Sequence, residues 1–117
     1  MKVTCTSVPL TILDETTLIA SDAQAVPSGK LVGVTSEAGA LDDSDTYTVK
    51  IVDAYGITIY EESGLAESTT TIDFYDTSTE SFPMNIPCVG PVTITVTASA
   101  KQSDAAVEFI VNLYIES

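Results

Sequence analysis

The run VTITVTASA, residues 92–100, alternates an apolar or small side chain with a hydroxyl-bearing one from end to end. Successive side chains of a strand point to opposite faces, whereas a helix would scatter the same pattern around its circumference. Such a run fits a strand with one face in a core and the other in water. Val, Ile and Thr reinforce the reading, because β-branched side chains suit a pleated surface and lose rotamers in a helix. Parity then places Val92, Ile94, Val96 and Ala98 inside, with Thr93, Thr95, Thr97 and Ser99 outside.

The same period recurs along the chain, and helical periodicity does not. Residues 2–7 read as a first strand with Val3 and Cys5 on one face, and Pro9 limits regular pairing beyond it. Short strands follow at 16–20 and 31–35, separated by the turn material SDAQAVPSGK. Residues 46–52 and 57–61 form a hairpin around DAYG, where Gly56 is free to take a positive φ. Residues 69–75 place Ile72 and Phe74 inward and Asp73 outward, and 82–86 is a short edge-like piece closed by Pro87. The strands at 92–99 and 107–115 are joined by AKQSDAA. The one helical candidate, ESGLAES at 62–68, is too short to stand alone.

Eight or nine short, mostly antiparallel strands separated by Gly, Pro and Asp turns predict an all-β chain, a β-sandwich or jelly-roll-like fold. At 117 residues the expectation is one β domain over 1–117. Residues 1–29 are either a partly extended N-terminal arm or an ordinary first pair of strands. In the last strand Val107, Phe109, Val111, Leu113 and Ile115 share the inward face. The opposite face carries Ile110 and Tyr114 among polar residues, so these two are candidates for a subunit interface or for cover by a loop.

Charge narrows the partners. Seventeen acidic residues stand against four lysines, with no arginine and no histidine, for a net charge of -13. Phosphate contacts are made by Lys and Arg, so neither nucleic acid nor an anionic membrane is an expected partner. Hydrophobic content of 44% argues against disorder at this charge. The opening MKVTCTSVPLTILDET lacks a continuous apolar run, so no secretory leader is expected, and no segment approaches the length of a membrane span. Cys5 and Cys88 are either one disulfide or two buried thiols, and the lack of an export signal favours thiols.

Catalysis has few places to reside. Without histidine, Ser-His-Asp and Cys-His arrangements cannot form, and the commonest base near neutral pH is missing. Two distant cysteines are too few for zinc, and no phosphate-cradling glycine motif occurs. No catalytic residue, cofactor or firm metal site is therefore assigned. Asp42, Asp43 and Asp45 are weak calcium candidates, since LDDSDTYTV lacks the EF-hand spacing, central Gly and final Glu. Glu61 with Glu62, or Asp73 with Asp76, could pair as in glycosidases, but there is no Trp platform; Tyr47, Tyr55, Tyr60, Tyr75 and Tyr114 could supply one stacking patch, though most are better explained as strand or turn residues. The expectation is a chain that is not an enzyme.

The succession KLVGV (30–34), TYTVKIVDAYGITIY (46–60), TIDFYD (71–76), FPMNIPCVGPVTITVTASA (82–100) and the terminal VEFIVNLYI resembles small all-β virion structural proteins of tailed bacteriophages. These are often capsid decoration or other head-associated proteins. The resemblance lies in a Leu-x-Gly-Val run before a hairpin ending in Asp and Gly, and in a Gly-Pro step, here Gly90-Pro91, introducing a later strand. It spans roughly residues 30–115. It implies a non-enzymatic decoration or cement protein, often trimeric, that contacts the major capsid protein or another virion protein. Its place would be the capsid surface of the virion, after assembly in the host cytoplasm.

Two other classes remain open. A receptor- or carbohydrate-binding or adaptor module of a phage tail, fibre or neck would use the loops at 36–45 and 53–56, with Asp43 and Tyr55 as contacts. An acidic inhibitor or DNA mimic is permitted by the charge, although the acids show no phosphate-like spacing.

Overall fold

A computed structural model describes residues 2–12, 18–41, 45–66, 71–72, 86–102 and 106–117, with 71–72 described by backbone alone. Nine strands occur among them: β1 (Val3–Ile12), β2 (Ile19–Gln24), β3 (Gly29–Ala38), β4 (Thr46–Val52), β5 (Thr58–Ala66), β6 (Thr71–Ile72), β7 (Ile86–Cys88), β8 (Val92–Ala98) and β9 (Val107–Glu116). One sheet has the order β1-β9-β3-β6, with β7 also paired to β3, and the other has the order β2-β8-β4-β5. Every pairing is antiparallel.

The pairings nest. The hairpin β4–β5 is innermost, β3 meets β6 and β7, β2 meets β8, and β1 meets β9. This is a long antiparallel ribbon folded at its middle. Rolling that ribbon adds the two contacts β9–β3 and β8–β4, which close it into two packed sheets. A ribbon nested and rolled in this order is a jelly roll. The all-β expectation therefore holds, and its looser alternatives resolve to this winding.

The core lies between the sheets. From β9, Val107, Phe109, Val111, Leu113 and Ile115 are all buried, and from β8 so are Val92, Ile94, Val96 and Ala98. Tyr47, Val49 and Ile51 of β4 lie beside the β8 residues in the second sheet and face those of β9, and the Tyr47 and Phe109 rings sit 5.2 Å apart, tilted by 57°. Val8, Leu10 and Ile12 of β1 join the same apolar cluster.

Several elements differ from the sequence expectation, each for a physical reason. β1 continues through Pro9 to Ile12 because it pairs only with β9, and an edge strand tolerates a proline whose missing donor is not needed. Val3 and Cys5 share a face as expected, but it is the outer one; Val8, Leu10 and Ile12 take the core side. β7 likewise runs through Pro87, which sits opposite Lys30, instead of ending before it. The helical candidate at 62–68 is strand as far as Ala66, because its backbone pairs with β4. Residues 3–12 and 19–24 are strands, each bonded along its length to a late strand. The inward and outward assignments of Asp73 and Phe74 fall outside the described residues.

Candidate functional site

The β4–β5 turn displays the most exposed apolar side chains among the described residues. Asp53 builds it: its Oδ1 accepts the backbone N–H groups of Tyr55 at 2.9 Å and Ile57 at 3.0 Å. The backbone closes the same loop, with Gly56 N–H donating to the Asp53 carbonyl and Asp53 N–H to the Ile57 carbonyl. Gly56 adopts φ of 79°, which completes the turn at little steric cost only for glycine. Held this way, Tyr55 is 76% exposed and Ile57 58% exposed.

A second segment lies against the turn. Ala54 N–H donates to the Val89 carbonyl at 2.9 Å, tying the turn to the residues that follow β7. Between them runs an open, mainly apolar groove of about 560 Å³ whose walls include Asp53, Tyr55, Ile57, Ile86, Pro87 and Val89. Cys88 points away from it into the core, and burial, with the nearby Asp53 charge, pushes its thiol pKa up.

The outer face of the first sheet is the other candidate surface. Ile110 lies opposite Pro9 on one side and Glu37 on the other, and Tyr114 lies between Cys5 and Gly33. Ile110 is 37% exposed and Tyr114 half-buried. A smaller hollow of about 210 Å³ beside Ile110 is lined by Glu37, Gly39 and Glu108. It shares no lining residue with the groove at the turn.

The remaining sequence candidates are placed as follows. Asp42 and Asp43 lie outside the described residues. Asp45 is half-buried, and its Oδ2 accepts Nε2–H of the buried Gln102 at 3.0 Å, so this carboxylate anchors the β8–β9 connection. Among the described residues no group of three His, Cys, Asp or Glu side chains is positioned to hold a metal ion. Glu61 and Glu62 are consecutive on β5 and exposed, so they point to opposite faces rather than toward a shared substrate. Asp73 and Asp76 lie outside the described residues. Tyr47 and Tyr60 are core residues, which leaves Tyr55 as the described tyrosine presented fully to solvent. Both cysteines are free: Cys88 is a buried thiol, but Cys5 is exposed, contrary to the expectation of two buried thiols.

Sequence reasoning found Tyr55 and missed Ile57, Ile86 and Val89 as its neighbours. The available signal was Ile57, an apolar residue directly after a turn, whereas Ile59 two residues on belongs to the core.

No protein-family model matches the chain, and no curated protein matches it. Among solved structures, a chain of the cyanophage Pam1 capsid asymmetric unit aligns over 98% of this chain and 84% of its own length, at 21% identity and a TM-score of 0.46. A chain of infectious bursal disease virus, Gt strain, aligns over 98% of this chain and 33% of its own length, at 10% identity and a TM-score of 0.37. Likenesses at this level carry no functional weight.

Proposed function

We propose that this chain is a non-enzymatic structural protein of a virion, a decoration or cement module that stabilises the shell through protein–protein contacts. The observation that carries the reading is the apolar surface on a closed, well-packed scaffold. Tyr55, Ile57, Val89 and Ile110 are exposed on a jelly roll whose strands pair within two packed sheets. Exposed apolar groups held in rigid geometry suit contact with another protein. The order of sequence elements that resembles tailed-phage head proteins points to the same class. A net charge of -13 disfavours direct contact with packaged nucleic acid.

In this role the major capsid protein, or another virion protein, is the partner, and the capsid surface is the location after assembly in the host cytoplasm. The chain acts as a homo-oligomer, a trimer in the form the resemblance suggests, with Ile110 and Tyr114 on its subunit contact. Binding only the assembled shell stabilises that state by mass action. The test is the copy number of this protein per major shell protein in purified particles, read by quantitative mass spectrometry. A number comparable with that of the shell protein supports decoration, and absence from particles removes the virion reading.

One observation favours a second reading, a receptor-, carbohydrate-binding or adaptor module of a tail, fibre or neck. Tyr55 stands at a loop tip with its ring largely free, as a stacking residue would. A few copies per particle, with binding to a host surface lost in Tyr55→Ser and Asp43→Ala, would move the assignment there.

A further inference from the structure

Six large apolar side chains are exposed among the described residues, and three of them, Tyr55, Ile57 and Val89, surround one groove. Scattered exposed apolar residues need no explanation, but a cluster around a concavity does. The turn that carries Tyr55 and Ile57 is fixed by two hydrogen bonds to Asp53 Oδ1 and is bonded to the opposite wall through Ala54 and Val89. A partner therefore meets a surface whose ordering cost is already met in the fold, the condition under which a small apolar contact gives useful affinity.

We propose that this groove is a docking site for a positively charged protein segment that inserts an aliphatic or aromatic side chain between Tyr55, Ile57 and Val89. Charge selects the occupant. The chain carries 17 acidic residues against four lysines, and Asp53 forms part of the groove wall. Complementary potentials steer encounter and suppress wrong partners. An acidic segment would meet like charge at Asp53 and across the whole surface. A second copy docking groove to groove would set the two Asp53 carboxylates against the same contact, and nucleic acid is repelled by the same field. A lysine- or arginine-bearing segment meets none of these penalties. Its long side-chain stems also lie well along apolar walls while a head group reaches Asp53.

The inference deepens the virion reading, and rests on it only for the partner being another virion protein; the groove's chemistry is tested without particles. The probes are short synthetic peptides carrying a leucine or phenylalanine flanked by lysines, with glutamate-flanked and serine-flanked versions of the same core. Each is titrated into the isotope-labelled full chain and followed by amide NMR. The expected result is a shift confined to residues 53–59 and 86–89 with the lysine-flanked peptides alone, weakening as salt is raised. Tyr55→Ser with Ile57→Ser, two exposed positions, should lower that affinity by about tenfold or more while the remaining spectrum stays folded. Ile110→Ser should leave it unchanged. Shifts absent from the groove, binding equal for glutamate- and lysine-flanked peptides, or binding indifferent to the double substitution would each overturn the proposal. Particle copy number then judges the virion reading separately, so a failure of one is not mistaken for a failure of the other.

Discussion

The hydroxyls of Ser36 and Tyr47 lie 3.1 Å apart in the core and join one sheet to the other, since Ser36 belongs to β3 and Tyr47 to β4. Both side chains are buried. The pair is a polar contact set within a largely apolar core. Tyr47→Phe keeps the ring against Phe109 but strands the Ser36 hydroxyl, and Ser36→Ala strands the Tyr47 hydroxyl. Each should cost about 1–2 kcal/mol, because a buried group left without its partner carries its desolvation cost. The double substitution should cost less than the sum of the two. Denaturant midpoints of the four proteins form the cycle that measures it, and strict additivity would mean the pair contributes no coupling.

The same burial predicts the response to alkali. Burial is the main cause that raises the Tyr47 pKa above its ordinary 10.0, opposed by the Ser36 hydrogen bond and aided by Glu37. Burial, then Asp53, raises Cys88 above its ordinary 9.0. Both groups are neutral when protonated, so the folded state holds their protons to higher pH than the unfolded chain does. Their contribution to stability is fully present below about pH 9 and falls as pH rises through the raised folded values. Stability measured by denaturant from pH 8 to 11 should decline first through Cys88 and then through Tyr47. Cys88→Ala should flatten the earlier part and Tyr47→Phe the later part, both against a lower baseline.

Legibility followed how many faces of each strand are buried. β8 and β9 alternate cleanly because one face packs and the other is wet, and parity assigned their core residues without error. β3 was read too short because residues Leu31 to Ser36 are buried on both faces, with a register shift between Leu31 and Gly33, so no alternation marks its extent. In β1 the shared face of Val3 and Cys5 was readable, but its direction is set by Val8, Leu10 and Ile12 across a proline that hid the strand's second half. The short 62–68 segment carries no reliable local signal, and only pairing with β4 decides it. The site divided similarly. Tyr55 could be read from a turn motif, whereas its groove needs Val89, 34 positions on in sequence, which the fold brings alongside and bonds to Ala54.

Gly29 tests how tightly the end of the first sheet is packed. A Cβ placed there would run into the Glu116 carbonyl and approach the Ile115 side chain at 3.3 Å. Backbone cannot retreat as a flexible side chain would. Gly29→Ala should therefore destabilise by roughly 1–3 kcal/mol, the range for overpacking a filled site. Gly39→Ala is the control, since its Cβ would meet backbone of Glu108 only at an ordinary 3.5 Å. A thermal or denaturant midpoint unchanged in Gly29→Ala would show that β3 and β9 separate there at no cost.

The two thiols should separate cleanly in reactivity. Cys5 is exposed on β1, opposite Tyr114 on the outer face, whereas Cys88 is buried in β7 opposite Gly29. A thiolate is the reacting species, so a buried thiol with a raised pKa is protected twice, by access and by protonation. A colourimetric thiol titration of the native chain should therefore find one fast group, and a second should react only as denaturant opens the core. Cys5→Ser should abolish the fast reaction and leave the slow one. The slow rate should also rise in Tyr47→Phe, because a less stable fold exposes Cys88 more often. Two fast groups in the native protein would mean that β7 does not hold its place on β3 in solution. That result would also undercut the groove at the turn, whose far wall is the segment from Ile86 to Val89.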